Sequence, residues 1–181
     1  MPTVTGLYFS EVAYGYRNSG LTYQDYDCIG FVNLIRSDCG VFQFARGTNT
    51  AWRSNDFYWQ GTIQDCINQY GDIPQGALIW KCHPEGTPGY DTIPSQYYGD
   101  GIGNFTHIGI RTYLGDGVMQ SGGYGGTGVH DSTYDSSYWT HVSLAYETLY
   151  DNIPYPGTQL PDWWYIVFLK QRRQNYGRRK F

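Results

Sequence analysis

Asp27-Cys28-Ile29-Gly30-Phe31-Val32-Asn33-Leu34-Ile35-Arg36 is the stretch on which the reading of this chain turns. Asp27 suits an N-cap, Ile29, Val32 and Ile35 recur at helical spacing, and Gly40 closes the segment. A helix that begins on a cysteine is therefore predicted. On its N-terminal side, residues 7–19 read as a shorter helix ending at Asn18-Ser19-Gly20. On its C-terminal side, residues 41–58 read as loop anchored by Phe42, Phe44, Trp52 and Phe57, and residues 62–70 as a third helix ending at Gly71. After Ile73-Pro74-Gln75-Gly76 the pattern changes to short β-rich runs at 77–82, 105–113, 118–121, 141–150 and 163–169, each bounded by Gly, Pro, Asn or Asp. Helices first and strands afterwards is the α+β order rather than an alternating one. Gly122-Gly123-Tyr124-Gly125-Gly126 is a turn or loop and not a dinucleotide fingerprint, because no helix pattern follows it.

With 181 residues the chain is long enough for one core and short for two domains. Residues 1–169 are expected to form the single domain and residues 170–181 a basic tail. Aromatics at 18% and charged residues at 15% exclude a disordered or coiled-coil chain. Gly and Pro occupy 32 of 181 positions against a usual ~12%, which favours turns and short strands over a helical bundle. The body holds 6 Lys and Arg against 16 Asp and Glu, net −10, and the tail holds six basic residues and no acid. An acidic body argues against nucleic-acid binding, while the tail suits a polyanion such as an anionic wall polymer, or is simply solvated. No apolar run approaches the ~18 residues of a transmembrane segment. The start lacks the basic and apolar pattern of a signal peptide, so synthesis in the cytoplasm without export is expected. Cys28, Cys39, Cys66 and Cys82 are too few and too scattered for a disulfide framework, and without a Cys-x-x-Cys pair neither a metal nor a cofactor is expected.

A cysteine in the first turn of a helix meets unpaired N–H groups and the positive end of the helix dipole. Its thiolate is favoured there, its pKa is expected to fall, and the same N–H groups could hold an oxyanion. Cys28 is thus either a nucleophile or a packed side chain at a helix start. In Phe105-Thr106-His107-Ile108-Gly109-Ile110 the alternation sends Ile108 and Ile110 into the core and His107 the other way. An imidazole so placed can take a thiol proton and return it to a leaving amine.

Tyr26-Asp27-Cys28-Ile29-Gly30-Phe31-Val32 resembles the Asp-Cys-Ser-Gly-Phe-Val nucleophile segment of NlpC-type cell-wall cysteine peptidases. His107-Ile108-Gly109-Ile110 followed by Tyr113-Leu114-Gly115-Asp116-Gly117 is similar to their histidine segment, and Ile73-Pro74-Gln75-Gly76-Ala77-Leu78-Ile79-Trp80 to the strand before it. The resemblance covers roughly residues 7–150. It implies a papain-like α+β fold with N-terminal helices packed on a central antiparallel sheet, and a Cys28–His107 pair completed by a polar residue that orients the imidazole. Gln120 falls at that third position. A tight hairpin at Gly115-Asp116-Gly117 would pair Gln120 with Thr112, too far from His107, unless a bulge at Arg111-Thr112 restores it; Ser121 is the fallback. Tyr16, twelve residues before Cys28, matches an active-site tyrosine of the family, and Asp27 is carried over with it as substrate-binding.

The resemblance implies a hydrolase of bacterial peptidoglycan that cuts the γ-D-glutamyl bond to the diamino acid of the stem peptide, in the manner of a phage endolysin or virion-associated enzyme. A related CHAP-type N-acetylmuramoyl-L-alanine amidase and a noncatalytic cell-wall-binding or virion structural module remain open. His130 and His141 read as structural or substrate-contacting. Trp52, Trp59 and Trp139 are sugar or peptide platforms or, by default, core.

Overall fold

Asp27 starts helix α2 (Cys28–Asp38) by accepting the Gly30 N–H at its Oδ1 (2.6 Å), which satisfies one of the amides a helix start leaves unpaired. A side chain at Gly30 would lie only 2.7 Å from that carboxylate oxygen, so this turn closes because position 30 has none. The computed structural model describes residues 4–122, 128–151 and 153. Residues 163–169, read as a strand, and the basic tail lie outside them.

Before α2 come strand β1 (Val4–Thr5) and helix α1 (Gly6–Gly15), shorter than the expected 7–19. Helix α3 (Thr48–Trp52) and strand β2 (Phe57–Thr62) occupy the region read as loop. Helix α4 (Ile63–Tyr70) lies where expected: Thr62 and Asp65 form a reciprocal capping box, and Gly71 caps the far end. Strands β3 (Leu78–His83), β4 (Asn104–Arg111), β5 (Gly117–Gly122), β6 (Gly128–Thr133), β7 (His141–Ala145) and β8 (Thr148–Leu149) complete the described chain.

The architecture is α+β: N-terminal helices pack on a six-stranded antiparallel sheet of order β2-β7-β3-β4-β5-β6. β1 and β8 form a separate parallel pair. Both sheet faces are covered. On the helix side, Phe9, Phe31, Val32 and Ile35 pack with Leu78, Trp80, Ile108, Ile110 and Met119. On the other side, Ile63 and Cys66 of α4 pack with Ile79, Val118, Trp139, Val142 and Leu144. From His107 onward the alternation along β4 is as the sequence pattern requires, with Ile108 and Ile110 fully buried; it breaks at Thr106, where the register with β3 shifts, so that Phe105 joins the same core cluster and Thr106 is exposed.

Strands β4 and β5 are joined by bridges at Arg111–Val118 and Ile110–Met119, and no further pair is formed between them among the described residues. The tight hairpin at 115–117 is therefore corrected. Residues 112–116 form a wider connection, closed by the Thr112 N–H donating to the Gly117 carbonyl (3.0 Å), and the bridge register carries Gln120 toward Gly109 rather than Thr112. No bulge at Arg111-Thr112 is needed.

Candidate active site

Cys28 is the first residue of α2 and is 5% exposed. Its sulfur is within hydrogen-bonding reach of the backbone amides of Ile108, Ile29 and Cys28 itself. The helix start thus abuts β4 just beyond the end of the β4–β5 ladder, beside the residue that follows His107. Ser121, one strand over, donates its hydroxyl to the Tyr26 carbonyl and anchors the residue preceding the cap. That contact and the full burial of Ser121 correct its fallback role: it holds the loop before α2 and does not bond to His107.

His107 Nε2 lies 2.6 Å from Gln120 Oε1, and the Gln120 amide nitrogen donates to Ser132 Oγ at 2.6 Å. The imidazole stacks on Trp139 (centroids 5.5 Å apart, planes 25° apart) and meets Tyr138 edge-on at 6.2 Å. Beside it opens a cleft of about 430 Å³ lined by His107, Gln120, His130, Ser132, Asp135 and Tyr138, among others. Asp135 keeps its carboxyl below the usual range through hydrogen bonds from the Ser137 hydroxyl and amide, so one wall is anionic. His130 bonds through Nδ1 to the Gly128 carbonyl (2.9 Å).

The electrostatics differ from the expectation for a helix-start thiol. Burial first, and the Asp27 carboxylate second, push Cys28 up to about 11, against the three backbone amides. Burial also lowers His107, although its bond to Gln120 opposes that. Both shifts favour uncharged groups, so the resting pair is thiol and neutral imidazole rather than thiolate and imidazolium.

Two expected site residues are placed elsewhere or otherwise engaged. Tyr16 caps the C-terminal end of α1 and donates its phenol to Asp38 (2.6 Å), the last residue of α2. Ten residues separate Asp38 from Cys28, about 15 Å of helix. The Tyr16 ring also packs edge-on against Phe31 near the start of α2 (centroids 6.2 Å apart), so the side chain lies along the helix with its phenol tied to Asp38. Asp27 is engaged by the Gly30 amide and by Arg46 (3.3 Å), which makes it a cap and a field on the thiol. Trp52 stacks on Phe105 at 4.0 Å and Trp139 is 2% exposed, so both are core rather than open platforms. Trp59 is half-buried and donates to Gln69. His141 faces Trp52 and Phe105 instead of the cleft.

The phenol beside Cys28 is Tyr23. Burial first, and then the neighbouring Cys28 and Asp27, raise its pKa. A turn positions it: the Thr22 N–H and hydroxyl both donate to Asp25 Oδ2 (2.8 Å each), and the Leu21 carbonyl accepts the Val129 N–H (2.9 Å). Gly128, at φ +52, lets this turn lie directly on β6, since a side chain there would overlap the Leu21 carbonyl. Thr22 and Asp25 at turn spacing were a local signal for the turn; what it packs on was not legible.

All four cysteines are unpaired, and among the described residues no group of three His, Cys, Asp or Glu could hold a metal ion. No described helix is long and apolar enough to cross a membrane. Comparison with protein-family models, with curated proteins and with solved structures gives no match to this chain.

Proposed function

We propose that this chain is a cysteine hydrolase with a papain-like fold of the NlpC type, cleaving an amide bond in the stem peptide of bacterial peptidoglycan at the γ-D-glutamyl link to the diamino acid. One observation carries the reading: a helix-start sulfur reached by the Ile108 amide, next in sequence to a histidine whose Nε2 is held by Gln120. The three sequence motifs supply the substrate class. In the reaction, His107 takes the Cys28 proton as the sulfur attacks the carbonyl, so that general-base transfer accompanies attack from a neutral pair. The Cys28 backbone N–H and the Tyr23 phenol donate to the oxyanion. His107 then gives the proton to the departing amine, leaving a thioester that water hydrolyses through the same imidazole. The Gln120 amide orients the ring without supplying a charge. The basic residues 170–181 retain the enzyme on anionic wall polymers.

The 5% exposure of Cys28 and its high pKa favour a second reading, in which the thiol is packed and the chain is a noncatalytic wall-binding module. Digestion of purified peptidoglycan by the full chain and by Cys28→Ala, with mass spectrometry of the fragments, decides between them. The hydrolase releases stem fragments with a new amine on the diamino acid, and Cys28→Ala releases none. Fragments cut between the muramoyl lactyl group and L-alanine would move the assignment to the amidase. Intact wall after wild-type treatment would leave only the binding module.

A further inference from the structure

The geometry points to Ser132 as the positioning residue that decides which nitrogen of His107 carries the proton. Its catalytic meaning rests on the Cys28–His107 reading above, but its test does not. A glutamine side chain has one accepting end and one donating end, and a neutral imidazole has one N–H and one bare nitrogen. The two ends of Gln120 meet His107 Nε2 and Ser132 Oγ, each at 2.6 Å. Ser132 Oγ also lies 3.5 Å from the Val118 carbonyl, which can only accept, so the hydroxyl hydrogen points there and its lone pairs face Gln120. Gln120 must then present its NH2 to Ser132 and its oxygen to His107. An oxygen cannot donate, so the hydrogen between them sits on His107 Nε2, and Nδ1 is left bare.

Only that tautomer offers a base at the nitrogen not spent on Gln120. With the amide turned over, its NH2 would face Nε2, the proton would sit on Nδ1, and the imidazole could not receive a thiol proton there. The hydroxyl at 132 is what makes the two orientations unequal. Ser132 stands opposite Val118 on β6, two residues beyond His130 on the same face, so its reach to Gln120 is a diagonal cross-strand contact. His130, directly opposite Gln120, donates through Nδ1 to the Gly128 carbonyl, whereas the Gln120 amide nitrogen goes to Ser132.

The test uses the full chain labelled with 15N-histidine, in which long-range 1H–15N spectra at pH 7.5 report the tautomer of each ring. The His107 signals are those missing in His107→Gln. Ser132→Thr and Ser132→Val are nearly isosteric and both suit a strand, so they differ in the hydroxyl alone. Wild type and Ser132→Thr should show the Nε2–H form, and Ser132→Val should lose about fivefold or more of that preference, the worth of one hydrogen bond. An unchanged tautomer ratio in Ser132→Val, or an Nδ1–H ring in wild type, overturns the inference. A tautomer shift as expected in a chain that leaves peptidoglycan intact would overturn the hydrolase and not this role.

Discussion

Asp27→Asn separates two things that one carboxylate does. Its Oδ1 accepts the Gly30 amide at 2.6 Å, and its charge is the second cause holding Cys28 up to about 11. Asparagine keeps an accepting oxygen in the same place and removes the charge, so the cap survives and the thiol pKa falls. Burial, the larger cause, is untouched, and the charge is partly screened by Arg46 at 3.3 Å. A fall of about one pKa unit, on the order of 1.4 kcal/mol, is the expected scale. At pH 8 that is about tenfold more thiolate. Because nucleophilicity drops with pKa at a Brønsted slope of about 0.4–0.5, the net alkylation rate rises only about threefold. The assay is iodoacetamide labelling of the native chain with peptide-level quantification, Cys39, Cys66 and Cys82 serving as internal controls whose rates stay constant. The exposed ion pair with Arg46 is worth about 0–1 kcal/mol, so the melting temperature should move by no more than a few degrees. Asp27→Ala removes the cap as well and should cost about 1 kcal/mol more. An Asp27→Asn chain that labels at Cys28 no faster than wild type would refute the electrostatic account of this thiol.

Burial lowers the pKa of both His107 and His141 below the usual 6.5, so protonation favours the unfolded chain. Stability is full above pH 6.5 and is lost as the pH falls from there through the lower folded-state values, which urea midpoints at pH 7.5, 6.5 and 5.5 would show; a midpoint that rises on acidification would reverse the sign. Tyr16→Phe should lose at most about 1 kcal/mol, the bond to Asp38, and leave wall digestion unchanged, whereas Tyr23→Phe should lower kcat with little change in stability. Equal digestion rates in the two variants would count against the place given to Tyr23. Gln120→Leu should keep the fold by circular dichroism and lower kcat by up to about a hundredfold through a misoriented imidazole, while an unchanged kcat would remove Gln120 from the site.

The parts of this molecule that were legible are those whose cause is local. α2 and α4 announce themselves through Asp27, the Thr62/Asp65 box and Gly71, all within one turn of the element they bound. The phase of His107 followed from the isoleucines on either side of Gly109. β2 was hidden because its ladder shifts register between Phe57 and Trp59, which breaks the alternation, and because its aromatics read equally as loop anchors. β6, Gly-Val-His-Asp-Ser-Thr, is an edge strand with a polar face lining the cleft, so it lacks the apolar period that marks a strand. Missing it meant missing Ser132, and with it the support under Leu21 and Tyr23. The thiol pKa is not legible for a similar reason: the helix start is local, but the burial that outweighs it comes from packing against a distant strand.

The dependence of the Tyr23 turn on Gly128 and Val129 has a temporal corollary. A ribosome delivers Tyr23 and Cys28 first, His107 and Gln120 well after them, and Ser132, Tyr138 and Trp139 later still. Contacts between residues more than a hundred positions apart form late and cooperatively. A nascent chain stalled before the edge strand emerges therefore lacks both the seat of the Tyr23 turn and the far wall of the cleft beside His107, and the two arrive together with the closing of the sheet.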